Sequence, residues 1–144
     1  MDKIITAQTF EKARNLIKTS KHPIIFTSND DELNRKILEK EKIDILLINQ
    51  KGRKDYQKQR NSGLDSVMAR EAKKKDIIIG INLNEILDSS GKEKAQILAR
   101  IAQNIKMCNK YKVKMTFLPK SKDNHDLKNL GLVLGMPTWM FPFN

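Results

Sequence analysis

With 144 residues the chain has room for one domain and a real core, since domains of ~100–150 residues are the commonest size. Its 28 Lys and Arg against 17 Asp and Glu leave a formal charge of +11, an excess that points to a polyanionic partner, because clustered cations neutralise phosphates and release their counterions. Membrane roles are disfavoured: apolar runs such as Ile45–Ile48 and Ile77–Ile81 are too short to span, and no strongly basic, aromatic-rich amphipathic helix is present.

The N-terminus is charged throughout and lacks the apolar core of a signal peptide, which predicts a cytoplasmic protein. Lys3–Thr6 reads as a short strand, with Thr6 as the cap of a helix whose face is Phe10, Ala13, Leu16 and Ile17. After Pro23, Ile24–Thr27 runs into Ser28-Asn29-Asp30-Asp31, a buried strand passing into a capped helix that carries Leu33, Ile37 and Leu38 and ends near Lys40. Ile43–Ile48 is the clearest strand, apolar except for Asp44.

A basic arm follows. Lys51, Arg53, Lys54, Lys58 and Arg60 stand against a single acid, Asp55, and Tyr56 is almost the only apolar residue, so the arm is expected not to bury itself. Arg60-Asn61-Ser62-Gly63 then reads as a turn, and Leu64, Val67, Met68 and Ala72 fall on one helical face. Ser62 is the expected cap, with Asp65 as its capping-box partner, which places free N–H groups beside the Arg60 guanidinium as a phosphate site. The competing reading is a solvated loop in which Asp65 already satisfies the helix dipole.

Ile77–Ile81 is another buried strand, whose Gly80 signals a bend or a close approach of backbone. A short helix around Leu83–Leu87 precedes a second capping box, Ser90 with Glu93. The helix from Lys92 to Lys110 has its expected core face at Ala95, Leu98, Ile101, Ala102, Ile105 and Cys108, the last a buried thiol. Val113–Leu118 is the fifth apolar run, Asp126–Leu130 a helical turn, and Gly131–Gly135 a last short strand. The tail holds Trp139, Met140, Phe141 and Phe143, which either covers a sheet edge or docks a partner.

Strands alternating with helices, each strand apolar on both faces, predict a mostly parallel sheet with right-handed crossovers. A closed eight-fold barrel usually needs ~200 residues or more. Five or six β-α units in one domain over residues 1–144 therefore predict an α/β, TIM-barrel-like fold that is reduced or incompletely closed.

The polar residues expected at the strand C-termini are rich in amides and poor in catalytic types: Ser28, Asn29, Asp30, Asp31, Asn49, Gln50, Asn82, Asn84, Glu85, Lys120 and Ser121. His22 and His125 form no metal-ligand spacing and read as surface residues. Asp30, Asp31 and Glu85 are candidate magnesium ligands, but helix capping accounts for the two aspartates more simply. No phosphate-binding loop, dinucleotide fingerprint or nucleophile elbow occurs, so no catalytic residue is assigned.

Arg60-Asn61-Ser62-Gly63-Leu64-Asp65-Ser66-Val67-Met68-Ala69, the strand Ile77–Leu83, the helix ending Asn109-Lys110-Tyr111-Lys112-Val113, and Leu130–Met136 occur in order at sensible spacing. Over residues 58–136 this pattern resembles the archaeal ribonuclease P protein component 3 family, in an unusually short form. The resemblance implies a barrel-like fold that binds the catalytic RNA of ribonuclease P, pairs with a small α/β partner subunit and supports removal of the 5′ leader from precursor tRNA. It implies no protein cofactor, since the RNA and its magnesium ions perform the hydrolysis. Asp65 stands where the family usually has Asn. The residues predicted to contact RNA are Lys51, Arg53, Lys54, Lys58, Arg60 and Ser62, with Lys120 and Lys122 as a second patch, all by phosphate contact. Two other readings are a metal-dependent phosphoesterase of barrel-like fold and a general basic RNA-binding module.

Overall fold

The computed structural model describes residues 3–119 and 124–141. Five short strands, β1 (Ile4–Thr6), β2 (Ile25–Thr27), β3 (Ile45–Ile48), β4 (Ile78–Asn82) and β5 (Met115–Leu118), form one sheet in which spatial order equals chain order and every pairing is parallel. The crossovers carry α1 (Phe10–Thr19), α2 (Asp31–Lys40), α3 (Ser66–Lys75), and the pair α4 (Leu83–Leu87) and α5 (Gly91–Tyr111). A doubly wound sheet reverses its order at a switch point, whereas this sheet winds in one direction like an arc of a barrel. Among the described residues β1 bonds only to β2 and β5 only to β4, so the arc does not close.

The two faces of the sheet are buried differently. Ile5, Phe26, Leu46, Ile79, Met115 and Phe117 face the helices and pack with Ala13, Ile37, Met68, Ala72, Ile101 and Ile105 in the main core. The opposite face has a smaller cluster built from strand residues alone, Ile25, Ile45, Leu47 and Leu118, with Ile78 against it. Gly80 lies there, and a β-carbon on it would stand 3.1 Å from Ile45 Cγ2 and 3.2 Å from Leu47 Cδ1. The sequence expectation of a bend or a close approach of backbone is refined: the groups that close on Gly80 are side chains of the neighbouring strands.

Several local expectations are corrected. Thr9, not Thr6, caps α1, accepting from the Lys12 N–H at 3.3 Å. Ser90 is in the cap position of α5 but makes no side-chain capping bond. The apolar run Gly131–Gly135 is not a strand: α6 (Asn124–Val133) continues through it, and Gly135 with φ +100° ends the helix while Met136 N–H bonds back to Gly131 C=O at 2.7 Å. Short apolar runs carry no period that separates strand from helix, and a glycine just past such a run is equally a helix stop. Met136, Met140 and Phe141 are buried in the main core, and Trp139, on a 3-10 turn (Thr138–Met140), stays partly exposed with Lys112 Nζ 5.2 Å from its ring. Lys120, Ser121, Lys122 and Phe143 lie outside the described residues.

Candidate nucleic-acid interface

The C-terminal ends of β2, β3 and β4 carry a ladder of short polar side chains. Asn82 Nδ2 donates to Asn49 Oδ1 at 2.9 Å, Asn49 Nδ2 to Thr27 Oγ1 at 3.1 Å, and Thr27 Oγ1 to the Leu47 carbonyl at 2.7 Å. Glu85 sits beside it, its two carboxylate oxygens accepting from the Gln50 and Lys51 N–H groups at 2.7 and 2.9 Å. Asp30 caps α2 through the Glu32 and Leu33 N–H groups. The carboxylates considered for magnesium thus have protein partners, and among the described residues no group of three or more His, Cys, Asp or Glu could hold a metal ion.

The segment between β3 and α3 rises from this rim. As expected the arm does not bury itself, nine of its residues 51–60 being exposed, but α5 pins its backbone. Arg100, only 3% exposed, donates from Nε to Asp55 Oδ1 at 2.9 Å, from Nη1 to the Gln50 carbonyl at 3.2 Å and from Nη2 to the Arg53 carbonyl at 2.7 Å. Asp55 Oδ1 also accepts the Asn61 N–H at 2.9 Å. Arg100, Asn61 and the nearby Arg60 charge outweigh the opposing effect of burial and hold the Asp55 carboxyl below its usual 3.8. One buried guanidinium therefore holds the first half of the arm, and Asp55 passes the tie on to Asn61.

Of the predicted contacts, Arg53 has a different role. Its guanidinium makes a two-pronged pair with Asp31, both bonds 2.8 Å, and its Nε donates to the Asn49 carbonyl at 2.6 Å. It lies against Gly63, where a β-carbon would stand 2.8 Å from Arg53 Cζ and 2.8 Å from Ile48 Cγ2 and where φ is +81°. Only glycine meets both demands at once. Ser62 is also structural: it is 2% exposed, its carbonyl accepts from Gln50 Nε2 at 2.8 Å and Asn104 Nδ2 at 3.0 Å, and Gln103 Nε2 reaches its hydroxyl at 3.2 Å. It does not cap α3. Asp65 does, accepting from Met68 N–H at 2.9 Å and pairing with Arg35 through its other oxygen. The helix start is thereby neutralised by its own carboxylate, and the phosphate site expected from its free N–H groups is not left open.

Lys51, Lys54, Lys58 and Arg60 are exposed, and none of the ion pairs found among the described residues uses them. The arm therefore sorts its cations: one guanidinium is committed to the fold and four charges face solvent on a fixed backbone. Two clefts flank the Arg53–Asp31 pair. One, of about 450 Å³, is lined by Asn29, Asn49, Lys51, Gly52, Lys54 and Asn61 among others. The other, of about 230 Å³, is lined by Tyr56, Gln59, Arg60, Asp65 and Gln103 among others. The histidines play no part in either: His22, exposed, bonds Asp44 through Nδ1 at 2.6 Å, and His125 is exposed on α6. Cys108 is fully buried on α5, and burial pushes its thiol up to about 12.

Arg100, Gln103 and Asn104 were not anticipated from the sequence. The buried stripe of α5 is Ile97, Arg100, Ile101, Asn104, Ile105 and Cys108, rotated from the face drawn through Ala95, Leu98 and Ala102. The signal was a polar pair at positions 100 and 104, one turn apart and each beside a buried isoleucine.

No protein-family model matches the chain. Curated relatives do: ribonuclease P protein component 3 of Methanocaldococcus jannaschii is 27% identical over 128 residues, covering 87% of this chain and 53% of the relative. The proteins of that name from Methanococcus maripaludis and Methanosarcina mazei are 26% identical over 125 residues and 27% over 112. An alignment of 128 residues reaches well beyond the stretch 58–136 that carries the resemblance in the sequence. Among solved structures, a chain of an archaeal ribonuclease P determined with mature tRNA by cryo-electron microscopy superposes with a TM-score of 0.79 at 26% identity, covering 95% of this chain and 61% of that one. This chain spans about half the length of the curated relatives it matches.

Proposed function

We propose that this chain serves as an RNA-binding protein subunit of ribonuclease P, holding the catalytic RNA through phosphate contacts while that RNA and its magnesium ions cleave the 5′ leader from precursor tRNA. The observation that carries this reading is the likeness, over 95% of the chain, to a component of an archaeal ribonuclease P solved with mature tRNA. The arm between β3 and α3 supplies the chemistry, with Lys51, Lys54, Lys58 and Arg60 exposed on a backbone fixed by Arg100. Preformed cations of this kind recognise folded RNA by shape and backbone and lose little entropy on binding. Lys120 and Lys122 remain part of the proposed surface, as do a small α/β protein partner, precursor tRNA reached through the assembled particle, and a cytoplasmic location. Arg53 and Ser62 support the surface from within and are not assigned as contacts.

The test is the salt dependence of binding to ribonuclease P RNA. Changing Lys54, Lys58 and Arg60 together to Ala should lower the slope of log K against log salt by about 1 per lost phosphate contact, up to ~3 in all. A slope equal to that of the unaltered chain removes the arm from the interface. Equal affinity for any structured RNA favours a general basic RNA-binding module, and divalent-dependent nuclease activity of the protein alone favours a phosphoesterase.

A further inference from the structure

The turn at the tip of the arm holds Tyr56 in an arrangement that phosphate binding leaves unexplained. Tyr56 is the arm's single aromatic residue and is 63% exposed. Yet its backbone is fixed twice over: its N–H donates to the Gln59 carbonyl at 2.8 Å, its carbonyl accepts the Gln59 N–H at 3.4 Å, and the preceding residue, Asp55, is tied to the buried Arg100. An aromatic ring presented to water by a fixed turn leaves a large apolar face uncovered. Its flanks are Lys54, Lys58 and Arg60, so whatever covers the ring arrives with negative charge alongside.

The cleft next to Tyr56 says which part of such a ligand enters. It is lined by Asp31, Glu32 and Asp65 and equally by Arg35 and Arg60, with Gln59 and Gln103, and two of the carboxylates are already paired, Asp31 with Arg53 and Asp65 with Arg35. A lining of mixed charge and amides suits an uncharged nucleobase, whose edge carries both donors and acceptors, while the phosphates beside it need only the exposed cations at the cleft mouth. We propose that Tyr56 is a stacking platform for an unpaired base of RNA, the base lying over its ring at the mouth of this cleft and the flanking phosphates resting on Lys58 and Arg60. The inference rests on the RNA-binding reading and sharpens it: the arm takes a single-stranded nucleotide, not the backbone of a continuous duplex. Stacking of bases on exposed aromatic rings is the usual sequence-tolerant way to hold single-stranded RNA.

The experiment compares the full chain with its Tyr56→Ala and Tyr56→Phe variants, measuring affinity for a short unstructured RNA and for an RNA duplex of the same length, with 2-aminopurine fluorescence in the unstructured strand as a direct report of stacking. Tyr56→Ala should weaken binding to the unstructured RNA roughly 5- to 100-fold and abolish the quenching on binding, while duplex affinity and salt slope stay unchanged. Tyr56→Phe keeps the ring and should keep both affinity and quenching. The proposal is overturned if Tyr56→Ala binds the unstructured RNA as the unaltered chain does, if it weakens both RNAs alike, or if Tyr56→Phe loses as much as Tyr56→Ala. If the unaltered chain binds neither RNA, stacking is refuted, and the subunit reading is decided separately by binding to ribonuclease P RNA. If it binds both and Tyr56→Ala changes nothing, stacking alone is refuted.

Discussion

Replacing Arg100 with Ala removes the side chain that ties α5 to the first half of the basic arm and, through Asp55, to Asn61, and its cost can be worked from the bonds it makes. The carbonyls of Gln50 and Arg53 lose donors at 3.2 and 2.7 Å. A buried acceptor left without a partner costs ~1–3 kcal/mol, and the two share one donor group, so their sum is not fully additive. Asp55 is left out of the sum because water can reach its carboxylate. The expected loss is about 2–4 kcal/mol. At roughly 2–4 °C per kcal/mol for a chain of this size, Tm should fall by roughly 5–15 °C. The assay is thermal unfolding followed by circular dichroism, with amide hydrogen exchange across residues 50–61. Exchange there should quicken more than in β3 or β4, and RNA affinity should fall although Arg100 is buried away from any ligand. Arg100→Lys, which retains a charge but not the three-way fork, should recover only part of the loss. A Tm within 2 °C of the unaltered chain, by the same scaling, or unchanged exchange in the arm, would refute Arg100 as its organiser.

Three further outcomes follow from other contacts. Gly131→Ala would place a β-carbon 2.5 Å from Phe141 Cζ and 3.1 Å from Met136 Sδ; overpacking of ~1–3 kcal/mol, less ~1 kcal/mol gained in helix propensity, predicts a net destabilisation of up to ~2 kcal/mol in urea unfolding, and a variant more stable than the parent contradicts it. Asp31→Ala breaks both bonds to Arg53, whose side chain is 9% exposed; it should cost about 1–2 kcal/mol, between an exposed and a buried pair, and leave the RNA salt slope unchanged, whereas a slope steeper by ~1 would make Arg53 a latent phosphate contact. The Asp55 carboxyl is held below its ordinary 3.8, so its contribution to stability is complete above that pH and lost as pH falls through the lower folded value. The Asn61 amide resonance, bonded to Asp55, should therefore titrate with a midpoint below 3.8, and a midpoint at or above it would show that the tether does not form.

The parallel sheet was readable because its strands are buried on both faces: Ile24–Thr27, Ile43–Ile48, Ile77–Ile81 and Val113–Leu118 stand out as apolar blocks, and the helices between them fix the crossovers. An incomplete barrel was readable from the number of units alone. What periodicity could not supply was the exchange of partners inside the arm. Arg53 and Lys54 are adjacent cations in the sequence, yet one pairs with Asp31 while the other faces solvent, because Gly63 leaves room on one side of the backbone only. Ser62 and Asp65 are both good caps by residue type, but α3 starts at Ser66 and puts Asp65 in the cap position, while the Ser62 carbonyl is held by the amides of Gln50, just past β3, and Asn104 on α5. Gly131–Gly135 was misassigned for the opposite reason: the local signal was ambiguous, and the packing of Phe141 on Gly131 resolved it.

Precursor-tRNA cleavage by ribonuclease P RNA at limiting magnesium, with the other protein subunits present and this chain added or omitted, decides whether the chain acts as a subunit of the particle. Cleavage should rise when the chain is added, and the variant with Lys54, Lys58 and Arg60 changed to Ala should remove the gain while unfolding at the same temperature as the parent. Cleavage indifferent to the chain, or a gain that survives the triple change, would contradict the account.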